Sequence, residues 1–269
     1  MKKILISLSL VASLATVSFA DSKTDNKLTE ADKTEMLGSD FQMPSAGALV
    51  NALSKKVGNI DWKSLIEPVA NKKYSSNEDK VLNLGVRGAD AYFLNQSKDS
   101  SNLISISTEI NYLLNKIQLN GKTLNSPSRK AELKALKDLV KAKNWSVVRV
   151  KISKLQASIN NDFVMKKAKH LEILNNVGGW IEGYRLAVEG IKRSYKAEST
   201  DMILQDELIS FLLKGLTSNA KLKSFSKTSK LIATLKSINA ILKNSKNYSL
   251  TKAQVDSLSK ILADTKKYI

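Results

Sequence analysis

From Pro44 to the end, the chain places apolar residues every three or four positions, in segment after segment. This period is the one that most limits what the chain can fold into. It turns one face of each segment inward as a helix, and it leaves no room for the two-residue alternation of a half-buried strand. Three prolines and eleven glycines in 269 residues interrupt it rarely. The reading is therefore all-α: a multi-helix bundle of about nine or ten helices with short connectors. No known solenoid repeat length fits the spacing.

The helix ends carry their own signals. Leu49, Leu53 and Val57 follow Pro44, with Gly58 as a stop. Asp61 suits the cap of a short turn through Trp62 and Leu65, closed by Pro68. Ser75 or Ser76 opens a helix to about Gln96, and Ser100 or Ser101 opens one that Asn120-Gly121 ends. Ser126-Pro127 opens the next, and Asn144 caps another through Ile159. Asn160-Asn161-Asp162 reads as a joint before a long helix from Val164 to about Tyr195. Ser199 or Thr200 then opens Met202 to Leu216. Two Lys-rich helices follow, Ala220 to Lys243 and Thr251 to Tyr268, the second with a Thr251–Gln254 capping box.

The N-terminus has a different character. Lys2 and Lys3 precede an apolar stretch from Ile4 to Phe19, and Ser18-Phe19-Ala20 fits a small-x-small cleavage site before Asp21. That is the pattern of a secretory signal peptide, too short for a spanning helix. The organisation expected is a signal peptide over 1–20, a mobile leader over 21–42, a helical core over 43–216, and a basic helical hairpin over 217–269 packed on or extending it. The mature chain has no further long apolar run, so no transmembrane segment is expected in it. The expected location is the periplasm or outside the cell.

Composition removes many chemistries. There is no cysteine, so disulfides, thiolate metal sites and cysteine nucleophiles are excluded. The single histidine, His170, sits in a Lys-rich helical stretch and reads as a surface residue. No P-loop, Rossmann, HExxH or GxSxG pattern is present, so no cofactor, metal or catalytic residue is assigned. The Ser-x-x-Lys matches in the C-terminal third are of the kind chance supplies in so Ser- and Lys-rich a stretch.

Two helices stand out. One holds Gly85 and Gly88, the other Gly178, Gly179 and Gly183. Each helix-interior glycine costs about 0.5–1 kcal/mol relative to alanine, so close approach of another backbone or of a ligand is the expected reason for it. The same helices carry Arg87 and Asp90, and Glu182 and Arg185, at one-face spacing. If the helices meet, these four form a buried network or line a polar pocket with Tyr92, Trp180 and Tyr184; if not, they are exposed pairs. Asp90 and Glu182 each have an arginine nearby, which argues for ionisation and against a raised-pKa acid. Leu82 to Leu94 and Leu174 to Leu186 also align in register, so the two hairpins they begin are either a duplication or a chance match between amphipathic helices.

Asn83-Leu84-Gly85-Val86 followed by Ala89-Asp90, and Gly178-Gly179-Trp180-Ile181-Glu182-Gly183, resemble two segments of an uncharacterised family of exported all-helical bacterial proteins. The resemblance runs from about Met43 to Leu216. It implies a helical fold and export, and it says nothing of mechanism.

The formal net charge is +18. Much of the excess lies in the C-terminal third, in Lys214, Lys221, Lys223, Lys227, Lys230, Lys236, Lys243, Lys246, Lys252, Lys260, Lys266 and Lys267, with few acids beside them. Few aromatics interleave, so nucleic acid is not expected. An anionic envelope surface is the partner these lysines suit, with a plain solvated face as the alternative. The function read from the sequence is a soluble periplasmic binding or scaffold protein of the envelope, without catalysis. The alternatives are a carrier holding a small or lipidic ligand between the Gly-rich helices, and a hydrolase of envelope polymers.

Overall fold

The computed structural model describes residues 53, 56–58, 60–68 and 73–269. They belong to one compact unit, Met43–Ile269. The expected signal peptide and leader, and most of the helix expected after Pro44, lie outside the described residues.

The described part is helical. Its eight α-helices are α1 (Asn77–Gln96), α2 (Ser100–Lys116), α3 (Pro127–Lys141), α4 (Trp145–Met165), α5 (Lys169–Arg193), α6 (Asp206–Ser218), α7 (Thr228–Lys243) and α8 (Lys252–Lys266). That is fewer than the nine or ten expected. The segment after Pro44 falls largely outside the described residues, and the turn capped by Asp61 is a single 3-10 turn, Trp62–Leu65. The Lys-rich stretch from Ala220 divides into a 3-10 turn, Ala220–Leu222, and α7.

Four of these eight helices are capped by side chains, and Asn144, expected to cap α4, stands at its N-cap without a side-chain cap bond. The Ser76 and Ser126 hydroxyls accept from the backbone N–H groups of Asp79 and Arg129, and Thr251 with Gln254 completes a capping box. Asp99, rather than Ser100, caps α2.

Three boundaries differ from the sequence reading. The helix expected to open at Ser199 or Thr200 starts only at Asp206, after a 3-10 turn over Ala197–Ile203. Asn120-Gly121 does not simply stop a helix. Both residues have positive φ, 52° and 77°, and they turn a two-residue hairpin, β1 (Gln118–Leu119) against β2 (Lys122–Thr123). An Asn-Gly pair favours this turn because both central positions of a type I′ turn need positive φ. The joint expected at Asn160-Asn161-Asp162 is also absent, because α4 runs through it to Met165. The chain turns instead at Lys167, whose φ is 54°.

α1 is the centre of the fold. Every residue from Val81 to Asn95 is buried, so all sides of the helix are covered. Its most extensive contact is with α5, and α2 and α4 cover the rest. The contacts advance together along α1 and α5: Leu82 meets Gly178, Gly85 meets Gly179, and further on Trp62 touches both Phe93 and Gly190. The two helices therefore run parallel, joined by the three helices between them. α8 packs on α5 and on α7, and α6 links α5 to α7.

Candidate functional site

The α1–α5 seam is made by glycine. A Cβ built on Gly85 would collide with the carbonyl oxygen of Asn175 and lie 2.7 Å from the Gly179 nitrogen. One on Gly178 would collide with the carbonyl oxygen of Leu82, and one on Gly179 would sit 3.3 Å from the Gly85 oxygen. The two backbones touch, and no side chain fits between them. Gly88 is different: its open side faces the flexible amide of Gln156 on α4. Gly183 is buried within α5.

Beside this seam lies a cluster of buried charges. Arg87 reaches two acids, Asp90 Oδ2 at 2.9 Å and Glu109 Oε2 of α2 at 2.6 Å. The Tyr74 hydroxyl donates to the other oxygen of Glu109 at 2.6 Å. On α5, Glu182 accepts from Arg185 at 2.6 and 3.0 Å and from Lys266 of α8 at 2.9 Å. Arg185 also donates to the carbonyl oxygen of Leu65 at 2.8 Å. Asp90 and Glu182 have no exposure at all, and the side chains of Arg185 and Lys266 keep only 11% and 10%. Four helices and two further segments thus converge on one polar knot inside an apolar core. Buried charges are tolerated only when paired in this way.

The two carboxylates differ in electrostatics. Burial pushes the Asp90 carboxyl up to about 7, and the nearby charge of Glu182 adds to this, outweighing Lys266 and Arg87. Asp90 Oδ1 has no hydrogen-bond partner among the described residues. Burial would raise Glu182 too, but Lys266 and then Arg185 overcome it and hold the group below the usual carboxylate range. The expectation that a neighbouring arginine keeps both acids readily ionised therefore holds for Glu182 and fails for Asp90. One arginine shared with Glu109 does not replace the water that Asp90 loses.

The aromatic residues grouped with these charges in the sequence lie elsewhere. Tyr92 points to α4, where its hydroxyl donates to Ser153 at 2.9 Å. Trp180 and Tyr184 stack at 4.6 Å on another side of α5. Trp180 donates to Gln205 at 3.0 Å and Tyr184 to the Ile203 carbonyl at 2.9 Å. They close the core against the 3-10 turn Ala197–Ile203 and do not line a pocket with the four charges.

An open cleft of about 430 Å³ reaches the knot from outside, lined by Glu67, Arg185, Glu189, Ala263, Lys266 and Lys267. Its walls are charged and mixed in sign. Among the described residues no group of three metal-ligating side chains occurs, and no helix is long and apolar enough to cross a membrane. His170 is half-buried, with its pKa lowered by burial and then by Lys221.

Two charged members of the knot, Glu109 and Lys266, are not singled out by the sequence reading, nor is Tyr74. Both charged residues had a signal. Glu109 lies between Ile106 and Ile110 on the apolar side of α2, and Lys266 follows Leu262 by four on the apolar side of α8. By sequence Lys266 belongs with the C-terminal lysines read as a basic surface. Other lysines of that set also have partners: Lys227 pairs with Asp79 at 2.7 Å, Lys252 with Asp256 at 2.9 Å and Lys267 with Asp264 at 2.7 Å. Lys230 lies over the Tyr268 ring at 5.4 Å. The C-terminal positive charge is therefore less free than its composition implies.

Compared with family models, curated proteins and solved structures, the chain matches none.

Proposed function

We propose that the chain is an exported, non-catalytic scaffold or binding protein of the bacterial envelope, of the kind its Asn-Leu-Gly-Val and Gly-Gly-Trp-Ile-Glu-Gly segments resemble. The signal-type N-terminus supports export to the periplasm or beyond. The absence of cysteine is consistent with a fold held by packing alone.

The observation that carries the reading is the pairing of Glu182 with both Arg185 and Lys266 at zero exposure. Arg87, Asp90, Glu182 and Arg185 are spent on partners inside the protein, each within its own helix and on Glu109 of α2 or Lys266 of α8. A hydrolase acting on a polymer needs its carboxylates within reach of the substrate, and Asp90 and Glu182 are sealed inside. A carrier between the Gly-rich helices needs a cavity there, and Gly85 and Gly178 bring backbone against backbone instead. The mixed-sign cleft over Arg185 and Lys266 favours a small polar ligand over a lipid as the second reading.

The parallel approach of α1 and α5 also favours duplication of two helical hairpins. Asp90 and Glu182 occupy matching positions in the aligned segments, and each of the two helices is followed by an amphipathic partner, α2 or α6.

Native mass spectrometry of the chain from Asp21 onward, purified gently from its host's envelope, tests the reading. A bare mass supports the scaffold. A reproducible extra mass that disappears on denaturation, and is lost in Lys267→Glu, would replace it with the carrier of a polar ligand.

A further inference from the structure

Six large apolar side chains are exposed among the described residues, and four of them are on α4: Val147, Val150, Val164 and Met165. At 100° per residue these four fall on one side of the helix, together with exposed Ala157 and Asn161. Lys154 is the single charge on that face. The opposite side of α4 carries Val148, Ile152, Leu155, Ile159 and Phe163, all buried in the core. α4 thus buries one apolar face and exposes apolar side chains at both ends of the other, Val147 and Val150 at one end and Val164 and Met165 at the other, with Lys154, Ala157 and Asn161 between them, over a length of about 27 Å.

Folding alone does not ask for the outer face. Valine is a poor helix former, and an exposed helix surface ordinarily carries charged or long polar side chains. The rest of this surface follows that pattern with lysine. Exposed valines and methionine gathered on one face of a surface helix mark an interaction surface.

The charge around the strip selects the partner. From Pro127 to Lys167 the α3–α4 hairpin has eleven basic residues against three acids, a net charge of +8. One of those acids, Asp162, is already paired with buried Arg129 at 2.8 Å. Lys143 lies just before α4 and Lys166 and Lys167 just after it, all exposed. A second copy would bring +8 against +8, which opposes self-pairing. The face has no exposed aromatic ring to stack on a nucleobase. An apolar strip bordered by lysines on a surface helix is the arrangement that settles at the boundary between anionic headgroups and acyl chains.

We propose that the outer face of α4 docks on an anionic phospholipid surface. Val147, Val150, Val164 and Met165 enter the headgroup boundary, and Lys154, Lys166 and Lys167 lie among the phosphates. This goes beyond the scaffold reading and stands on a different face of the molecule from the buried knot. It also places the surface contact on α4 rather than on the C-terminal lysines to which composition points.

The test is vesicle co-sedimentation of the chain from Asp21 onward, which contains the whole compact unit. Vesicles of equal phosphatidylglycerol and phosphatidylcholine are compared with phosphatidylcholine alone. The wild type is expected to pellet with the anionic vesicles only, and less so at high salt. Val150→Ser/Val164→Ser/Met165→Ser, with an unchanged circular dichroism spectrum, is expected to bind at least about tenfold more weakly. Two variants of equal charge loss locate the contact. Lys154→Gln/Lys166→Gln/Lys167→Gln is expected to lose much more binding than Lys236→Gln/Lys243→Gln/Lys260→Gln. Equal losses from the two, or a larger loss from the C-terminal set, overturns the proposal. So does a wild type that ignores anionic vesicles. Concentration-dependent self-association removed by the serine variant, without vesicle binding, would assign the strip to a second copy instead.

Discussion

Lys266, in the last turn of α8, donates to Glu182 of α5 across 2.9 Å, joining residues 84 positions apart. The bond ties the C-terminal helix to the central pair. Removing one partner of a buried ion pair strands the other charge, at a typical cost of about 3–5 kcal/mol. Arg185 remains on Glu182, so Lys266→Met is expected to cost about 2–3 kcal/mol, less than the full range. Denaturant titration measures the loss. Hydrogen exchange should show α8 exchanging faster than α1 or α2 in this variant. Unchanged stability would mean that the pair contributes nothing beyond what its burial costs.

Asp90 sets an unusual pH dependence. Its folded pKa of about 7 lies above the ordinary carboxylate value. Between about pH 4 and 7 the unfolded chain has released this proton while the folded chain retains it, so stability falls as pH rises. The contribution is flat below and above that window. Glu182 and Asp79, both lowered, act in the opposite sense: their stabilisation is present above the ordinary carboxylate range and is lost in stronger acid. His170, also lowered, costs stability as pH falls below about 6.5. Stability is therefore expected to peak in mild acid, near pH 5. Asp90→Asn should flatten the decline toward neutrality and be more stable than the wild type above pH 7. This reverses the simpler expectation that removing the carboxylate must destabilise the core. A decline of the same steepness in Asp90→Asn would show that another group causes it.

The glycines of the seam should separate into two classes. Gly85→Ala and Gly178→Ala drive a methyl into carbonyl oxygens of the facing helix, which cannot move without parting α1 from α5. Each is expected to cost about 3 kcal/mol or more, in the range of overpacked cores. Gly88→Ala meets only the end of the Gln156 side chain, which can rotate away. Alanine also gains helix propensity of about 0.5–1 kcal/mol, so this variant should stay within about 1 kcal/mol of the wild type. Thermal melts of the three variants decide it, and a Gly88→Ala loss as large as the others would contradict the distinction.

The sequence carried the helical class and the caps at Ser76, Ser126 and Thr251, because each depends on local spacing. It left open whether the Gly-rich helices meet, because that contact joins residues about ninety positions apart. Asp90 and Glu182 were visible as charges among apolar neighbours. Their unequal pKa values were not, since these depend on Lys266 and on burial, which no local pattern near residue 90 reports. The grouping of Tyr92, Trp180 and Tyr184 with the charges failed for a geometric reason: two positions along a helix turn a side chain by about 200°. Tyr184 and Glu182 therefore look in nearly opposite directions.

The misplaced boundary between α4 and α5 has a physical cause that leads to a last prediction. Three helices end with lysine in the left-handed region: Lys98 after α1, Lys143 after α3 and Lys167 after α4, with φ of 54–55°. Each end is closed by the same pair of bonds. Lys98 and Asp99 donate back to Asn95 and Leu94, Lys143 and Asn144 to Val140 and Leu139, and Lys167 and Ala168 to Val164 and Phe163. This is the helix stop that glycine usually marks, so its written signal is missing here. A lysine in this conformation is strained by about 1–2 kcal/mol, and glycine is not, although glycine loses more freedom on folding. Lys98→Gly, Lys143→Gly and Lys167→Gly are each expected to raise stability by about 0.5–1 kcal/mol. The ends at Lys98 and Lys143 are neighbours, since Ser100 donates to the Val140 carbonyl that also accepts from Lys143, so these two need not add in full. Denaturant midpoints of the single and triple variants test this. A triple variant no more stable than the wild type would mean that the lysine side chains, by interacting with the helix C-termini, offset the strain.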